Sequence, residues 1–147
     1  MGLDFKDGDA WARPRILRRV RANSFEGIWS RPGRGAMTPR LASGIWVAAY
    51  LTRLRLADIP TYVTAKGDAE AGAVVVKVAL LDGTARAYER RSDLMTGARA
   101  WILLAEGSEA EVDALVSRTR GRDPDLWVIE LEDRQGRTLL EEDGLAD

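Results

Sequence analysis

Two β-rich runs joined by a tight-turn dipeptide dominate the middle of the chain. Residues 73–81 are rich in valine, and residues 84–91 alternate in polarity on the far side of Asp82–Gly83. An Asp-Gly pair favours a two-residue type I′ turn, because the twist of that turn matches the twist of paired strands. The sequence therefore predicts a β-hairpin in which Leu81 pairs with Thr84.

This register assigns each side chain of the hairpin to one face of the sheet, since side chains alternate with a period of two. Four residues then share the face that points away from the core, and cations beside an aromatic ring can hold phosphates and stack a base. They form the candidate binding site: Lys77, Arg86, Tyr88 and Arg90. The valines would face the helices. If the last strand joins this sheet, ion pairs with Glu130 and Glu132 would explain the same charges without a ligand.

The segments around the hairpin predict an α+β fold. Helical signals cover about 39–57, where Thr38 and Pro39 resemble a helix start, and about 109–119, which Ser108 and Glu111 open as a capping box. Gly44 inside the first helix predicts close approach of another element. Strand patterns lie near 62–64, 99–105 and 127–131. The order is helix, antiparallel meander of three to four strands, second helix and final strand.

The chain contains neither cysteine nor histidine. This excludes zinc sites of the Cys/His type, Cys-His pairs, Ser-His-Asp triads and any histidine general base. We find no phosphate-binding loop and expect no cofactor. Three tryptophans lie within periodic apolar segments, which favours core packing over ligand stacking. They are Trp46, Trp101 and Trp127.

Composition predicts one globular domain in the cytoplasm. The 147 residues are 46% hydrophobic and 31% charged, and the formal net charge is -1. The chain cannot form a disulfide, and its basic N-terminal stretch is not followed by the apolar segment of a signal peptide. Its longest apolar run is far shorter than the roughly 20 residues that span a bilayer. We therefore expect no membrane association.

The two ends of the chain differ from its middle. Residues 1–37 are Arg-rich and lack sustained periodicity, which predicts a flexible arm; alternatively, Met37 is the natural start. Residues 38–140 form the predicted single domain, and residues 141–147 form an acidic tail. A basic arm of this kind could bind nucleic acid.

The chain also resembles a known family of small bacterial proteins. The resemblance rests on Leu41–Val47, on Lys66–Asp68 with Ala71–Val74, and above all on Asp123–Glu130 followed by Glu132 and Asp133. These segments are similar to the family catalogued as domain of unknown function fourteen ninety-one, over about residues 38–140. The resemblance implies a bacterial setting and supplies no activity, catalytic residue or cofactor.

Three functional hypotheses follow from these patterns. The favoured one is a non-catalytic binding or adaptor domain whose partner is a protein that the sequence does not identify. The second is nucleic-acid binding through the arm and the basic sheet face. The third is a metal-dependent enzyme, because hard cations need only oxygen ligands. Its ligands would come from Glu130, Glu132, Asp133, Glu141, Glu142 and Asp143, with help from Asp68 or Asp93.

Overall fold

The computed structural model describes residues 41–146 and one two-residue strand near the N-terminus. Its elements are β1 (Arg15–Ile16), α1 (Ser43–Leu56), β2 (Thr61–Ala65), β3 (Val74–Ala79), β4 (Thr84–Ser92), β5 (Arg99–Ser108), α2 (Glu109–Arg122) and β6 (Trp127–Glu132). The α+β class predicted from the sequence is confirmed. Of the predicted arm, only β1 is described, and the Met37 boundary lies outside the described residues.

The sheet differs from the predicted antiparallel meander of three to four strands. Its six strands follow the order β1-β5-β4-β3-β6-β2. β6 pairs parallel with β3, with Lys77 opposite Glu130, whereas the other pairs are antiparallel. The sheet is therefore mixed. The cause is α2, which carries the chain from β5 across to the other side of β3, as a crossover helix does between parallel strands.

Helices cover both faces of the sheet. The first core cluster joins Trp46, Tyr50 and Leu54 of α1 to one face of β3 and β6, and it includes Trp101 and Trp127. The second joins Val112 and Val116 of α2 to the opposite face. β3 is consequently buried at all of its positions. The predicted burial of the three central tryptophans is confirmed.

The predicted hairpin forms, but its register is wrong by one residue. Val78 pairs with Arg86 and Ala79 with Ala85, and the Leu80 N–H donates to the Thr84 carbonyl at 3.0 Å. Three residues, 81–83, therefore form the loop, in which Leu81 and Gly83 have positive φ. A central strand that is apolar on both faces gives no polarity pattern to select between the two registers.

The first helix begins later than its sequence signals predict. Thr38 and Pro39 lie outside the described residues, and α1 begins at Ser43 after an N-cap residue, Ala42, that makes no side-chain cap. The neighbouring loop supplies the missing acceptors instead. The Ser43 and Gly44 N–H groups donate to the carbonyls of Glu70 and Ala69. A Cβ on Gly44 would lie 3.3 Å from the Ala69 oxygen, which confirms the predicted close approach.

The chain segment after β6 also packs on the core. Leu140 and Leu145 belong to the cluster beneath α1, and the Trp101 indole N–H donates to the Leu145 carbonyl at 3.1 Å. The Tyr50 hydroxyl donates to the Thr138 carbonyl at 2.7 Å. Residues that the sequence assigns to an acidic tail thus contribute a buried leucine.

Removing the capping box should weaken α2. The Ser108 side chain accepts from the Glu111 N–H, and the Glu111 carboxylate accepts from the Ser108 N–H. Ser108→Ala should lower the free energy of unfolding by about 1 kcal/mol in urea denaturation. Ser117→Ala, at an exposed position inside the same helix, is the matched control and should change it little. Equal effects of the two substitutions would contradict the role of the cap.

Burial of Tyr50 should make the protein sensitive to alkali. Burial raises the pKa of the Tyr50 phenol well above its ordinary value, and the Tyr88 charge adds to this. A raised folded-state pKa contributes stability that is complete below the unfolded pKa of about 10 and is lost as pH rises further. Urea unfolding at about pH 9 and pH 11.5 should show this loss. Tyr50→Phe should be less stable than the parent at pH 9 but lose less on going to pH 11.5, and an identical loss would contradict the assignment.

Candidate functional site

The four candidate binding residues do not share a face. Lys77 pairs with Ala87, so it lies on the side of α2, whereas Arg86, Tyr88 and Arg90 lie on the side of α1. Lys77 is 2% exposed, and Tyr88 is also buried. The prediction of one outward basic face is therefore wrong, and the one-residue shift in register is the reason. A binding role for the individual residues stays a prediction.

Lys77 is the centre of a charge cluster that joins three elements. Its Nζ lies 3.0 Å from carboxylate oxygens of Glu109 and of Glu130, and it also pairs with Asp113. Glu109 and Asp113 lie one turn apart at the start of α2, and Glu130 belongs to β6. The predicted pairing of Lys77 with Glu130 is thus present. The ammonium ties the two central strands to the helix that covers them.

The cluster keeps Lys77 charged. Burial by itself would lower the pKa of Lys77, but hydrogen bonds to Asp113, Glu130 and Glu109 outweigh burial and raise that pKa above its ordinary value. A lysine nucleophile requires the opposite shift, because only the neutral amine attacks. The geometry therefore favours a structural ion cluster over a catalytic lysine.

The side chains on the opposite face are also engaged. Arg86 of β4 donates to the Glu106 carboxylate of β5 at 2.9 Å. This hydrogen bond raises the pKa of Arg86 above its ordinary value. The Arg90 guanidinium lies 5.1 Å from the ring centre of Trp46 and 5.8 Å from that of Trp101. Cation–π contacts of this kind stabilise the fold and orient the guanidinium. On this face, the two arginines of the predicted site therefore already bind side chains of the domain itself.

The carboxylates proposed as metal ligands are dispersed. Asp133 binds Arg137 at 2.8 Å, which holds the pKa of Asp133 below its usual range, and Glu142 pairs with Arg53. Asp68 and Asp93 accept from backbone N–H groups of their own turns. Within residues 41–146, no group of carboxylates is placed to hold a metal ion, and the three that surround Lys77 pair with its ammonium.

Among the described residues, the most exposed of the large apolar side chains lie at the end of the β4–β5 hairpin. Leu94 is 99% exposed and Met95 is 93% exposed. We call residues 93–98 the hairpin tip. The sequence pattern predicts a reversal here without assigning it a function. The detectable signal was a leucine and a methionine placed inside a polar turn, where solvent-facing residues are expected.

Backbone hydrogen bonds fix the conformation of the hairpin tip. The Asp93 carboxylate accepts from the N–H groups of Met95 and Thr96, at 2.7 and 3.2 Å. These bonds lower the pKa of Asp93. The Asp93 N–H donates to the Ala98 carbonyl, and the Gly97 N–H donates to the Asp93 carbonyl, both at 2.7 Å. Gly97 has a φ of +69°, which a glycine adopts readily. The two apolar side chains are therefore presented by a defined turn.

A protein-family model described as protein of unknown function, DUF1491, matches residues 41–141. The chain belongs to this family. No curated protein matches it at a significant level. The description of the DUF1491 family assigns no activity to the domain.

Solved structures support the same assignment. A crystal structure of a DUF1491 family protein from Caulobacter crescentus shares 42% identity and covers 70% of this chain and 97% of its own, with a TM-score of 0.64. An NMR structure of a DUF1491 family protein from the same organism shares 42% identity and covers 69% of this chain and 94% of its own, with a TM-score of 0.62. A solution structure of a protein from A. tumefaciens shares 32% identity and covers 69% of this chain and 93% of its own, with a TM-score of 0.60. These relatives are bacterial, as the resemblance implied.

No helix in the described residues could cross a membrane.

Removing the Lys77 charge should destabilise the domain. Lys77→Met leaves three carboxylates close together without their cation, and breaking a buried pair in this way is strongly destabilising. Because the carboxylates are partly exposed, we expect the free energy of unfolding to fall by about 2 kcal/mol in urea. Lys66→Met, at an exposed position, is the control and should be nearly neutral. A Lys77 variant as stable as this control would show that the cluster does not stabilise the fold.

Proposed function

We propose that this protein is a non-catalytic binding or adaptor domain that contacts a protein partner through its hairpin tip. The observation that carries the proposal is the near-complete exposure of Leu94 and Met95 on a turn held by its own hydrogen bonds. Large apolar side chains that protrude into water are a feature of interaction sites. Because the turn is already ordered, little conformational entropy is lost when it docks.

The residues beside the hairpin tip indicate the chemistry of the partner. Arg91 is exposed and pairs with Glu89 at 2.9 Å, and Arg99 lies opposite Ser92 at the base of the tip. Apolar anchors next to cations fit an apolar pocket with an acidic rim, and methionine adapts readily to the shape of such a pocket. We propose this class of partner and a cytoplasmic location.

The other two hypotheses have less support from the described residues. Nucleic-acid binding by a basic sheet face needs Lys77 and Tyr88 at the surface, and both are buried. Binding through the arm concerns residues that, apart from β1, lie outside the described part of the chain. A carboxylate metal site would need to recruit groups that already bind Arg53, Arg137 or Lys77. The apolar side chains of the hairpin tip are already accessible and need no such rearrangement.

Polar substitutions at the hairpin tip should abolish partner binding without unfolding the domain. The parent, Leu94→Ser/Met95→Ser and the control Leu81→Ser, also an exposed leucine, would each be immobilised to capture proteins from a bacterial lysate. Any protein lost with the tip variant but kept by the control would be purified and titrated. We expect the affinity of the captured protein for the domain to fall at least about tenfold when the tip variant replaces the parent. Added salt and the substitution Arg91→Ala should each also weaken this binding.

Two results would overturn this assignment. One is capture of the same proteins, with equal affinity, by the parent and the tip variant. The other is tight binding of a labelled single-stranded oligonucleotide that the tip substitutions leave unchanged, because that result favours the nucleic-acid hypothesis. Thermal unfolding of each variant checks that the fold is intact, and we expect equal midpoints, since the exchanged side chains are exposed in the folded domain.

A further inference from the structure

We propose that β2 pairs with β2 of a second copy of this chain, which joins two sheets into one. β2 is the last strand of the described sheet, and among the described residues no strand pairs with its outer side. A strand edge of this kind exposes unpaired N–H and C=O groups and can accept another strand. This surface is separate from the hairpin tip, so the inference does not rest on the proposed function.

The backbone geometry shows which groups face outward. Pairing between β2 and β6 places Tyr62 opposite Glu130, and the Glu132 N–H donates to the Pro60 carbonyl. Hydrogen-bonded pairs alternate along an antiparallel ladder. Tyr62 therefore directs its backbone groups toward β6, whereas Thr61 and Val63 direct theirs toward the open edge.

The side chains of β2 favour self-pairing. Its sequence, Thr-Tyr-Val-Thr-Ala, makes it the only one of the described strands without a charged residue. Natural edge strands usually carry charges that repel a second edge, and like charges placed opposite each other destabilise a pair. Two copies of β2 bring no like charges together. Tyr62 is 53% exposed and Val63 is also exposed.

One antiparallel register gives a hydrogen-bond partner to the outward-facing backbone groups of both Thr61 and Val63. When Thr61 of each copy pairs with Val63 of the other, four backbone hydrogen bonds form around a two-fold axis at Tyr62. The two Tyr62 side chains then meet in a non-hydrogen-bonded pair, where side chains approach most closely. The register shift between Val63 and Ala65 ends regular pairing on that side. Each copy uses its β2 edge once, so the assembly closes as a dimer.

The contact area of such a strand pair is small, so the dimer should depend on concentration. Sedimentation velocity should show monomer at low concentration and dimer toward about 0.5 mM, the range expected for a weak interface. Val63→Pro removes one outward N–H and leaves the bonds to β6 intact, so it should keep the fold and lose the dimer. Val63→Thr keeps the N–H and should still dimerise. A parent protein that stays monomeric throughout would overturn the proposal.

Disulfide crosslinking tests the register independently. The chain has no cysteine, so a single introduced cysteine can form only an intermolecular disulfide. Tyr62→Cys should crosslink at least about tenfold faster than Leu94→Cys, because pairing raises the local concentration of the two thiols. Val63→Cys should react slowly, because in this register the two copies of residue 63 lie beyond the roughly 7 Å limit for a disulfide.

The crosslinking rates decide the proposal even if Val63→Pro fails to fold. Equal rates for Tyr62→Cys and Leu94→Cys would overturn the pairing, and faster crosslinking through Val63→Cys would overturn the register. The Leu94→Cys protein also separates the two surfaces, since it should retain the sedimentation behaviour of the parent. Loss of its dimer would show that copies associate through the hairpin tip instead of β2.

Discussion

The parallel pairing of β3 with β6 determines most of what surrounds it. This pair places β3 in the interior of the sheet, with α1 over one face and α2 over the other. Both faces of β3 must then be apolar or paired, and five of its six residues are valine or alanine. The crossover through α2 makes the parallel pair possible, so the capping box at Ser108 stabilises the covering helix and, through it, the central strand.

Lys77 is the one charged residue of β3, and its setting explains how the sheet tolerates it. Its ammonium contacts carboxylates from the adjacent strand and from the first two turns of α2. An unpaired ammonium in this position would be costly, but three partners at the edge of solvent compensate for burial. The same contacts help to position α2 along the sheet, because Glu109 and Asp113 of that helix both pair with the lysine.

Local signals predicted the elements well and the pairings poorly. The capping box, the hairpin and the final strand each depend on residues close in sequence, and each is present. The register of β3 against β4 depends instead on which face each residue packs against, and a strand buried on both faces does not reveal this. The candidate binding face depended on that register and was wrong with it. The place of Leu94 and Met95 in a polar turn indicated that they face solvent, but the extent of their exposure depends on tertiary packing, and neither belongs to a core cluster.

The position of β6 has a consequence for the order of folding. β2 and β3 are close in sequence but are not neighbours in the sheet, because β6 lies between them. β2 has no described strand partner other than β6, which follows it by more than 60 residues. Such long-range pairing is slow, and until it forms, the backbone of β2 has no place in the sheet. A chain emerging from the ribosome would therefore hold this uncharged strand exposed until residues 127–132 had been made, which is the interval in which a mispaired edge would lead to aggregation.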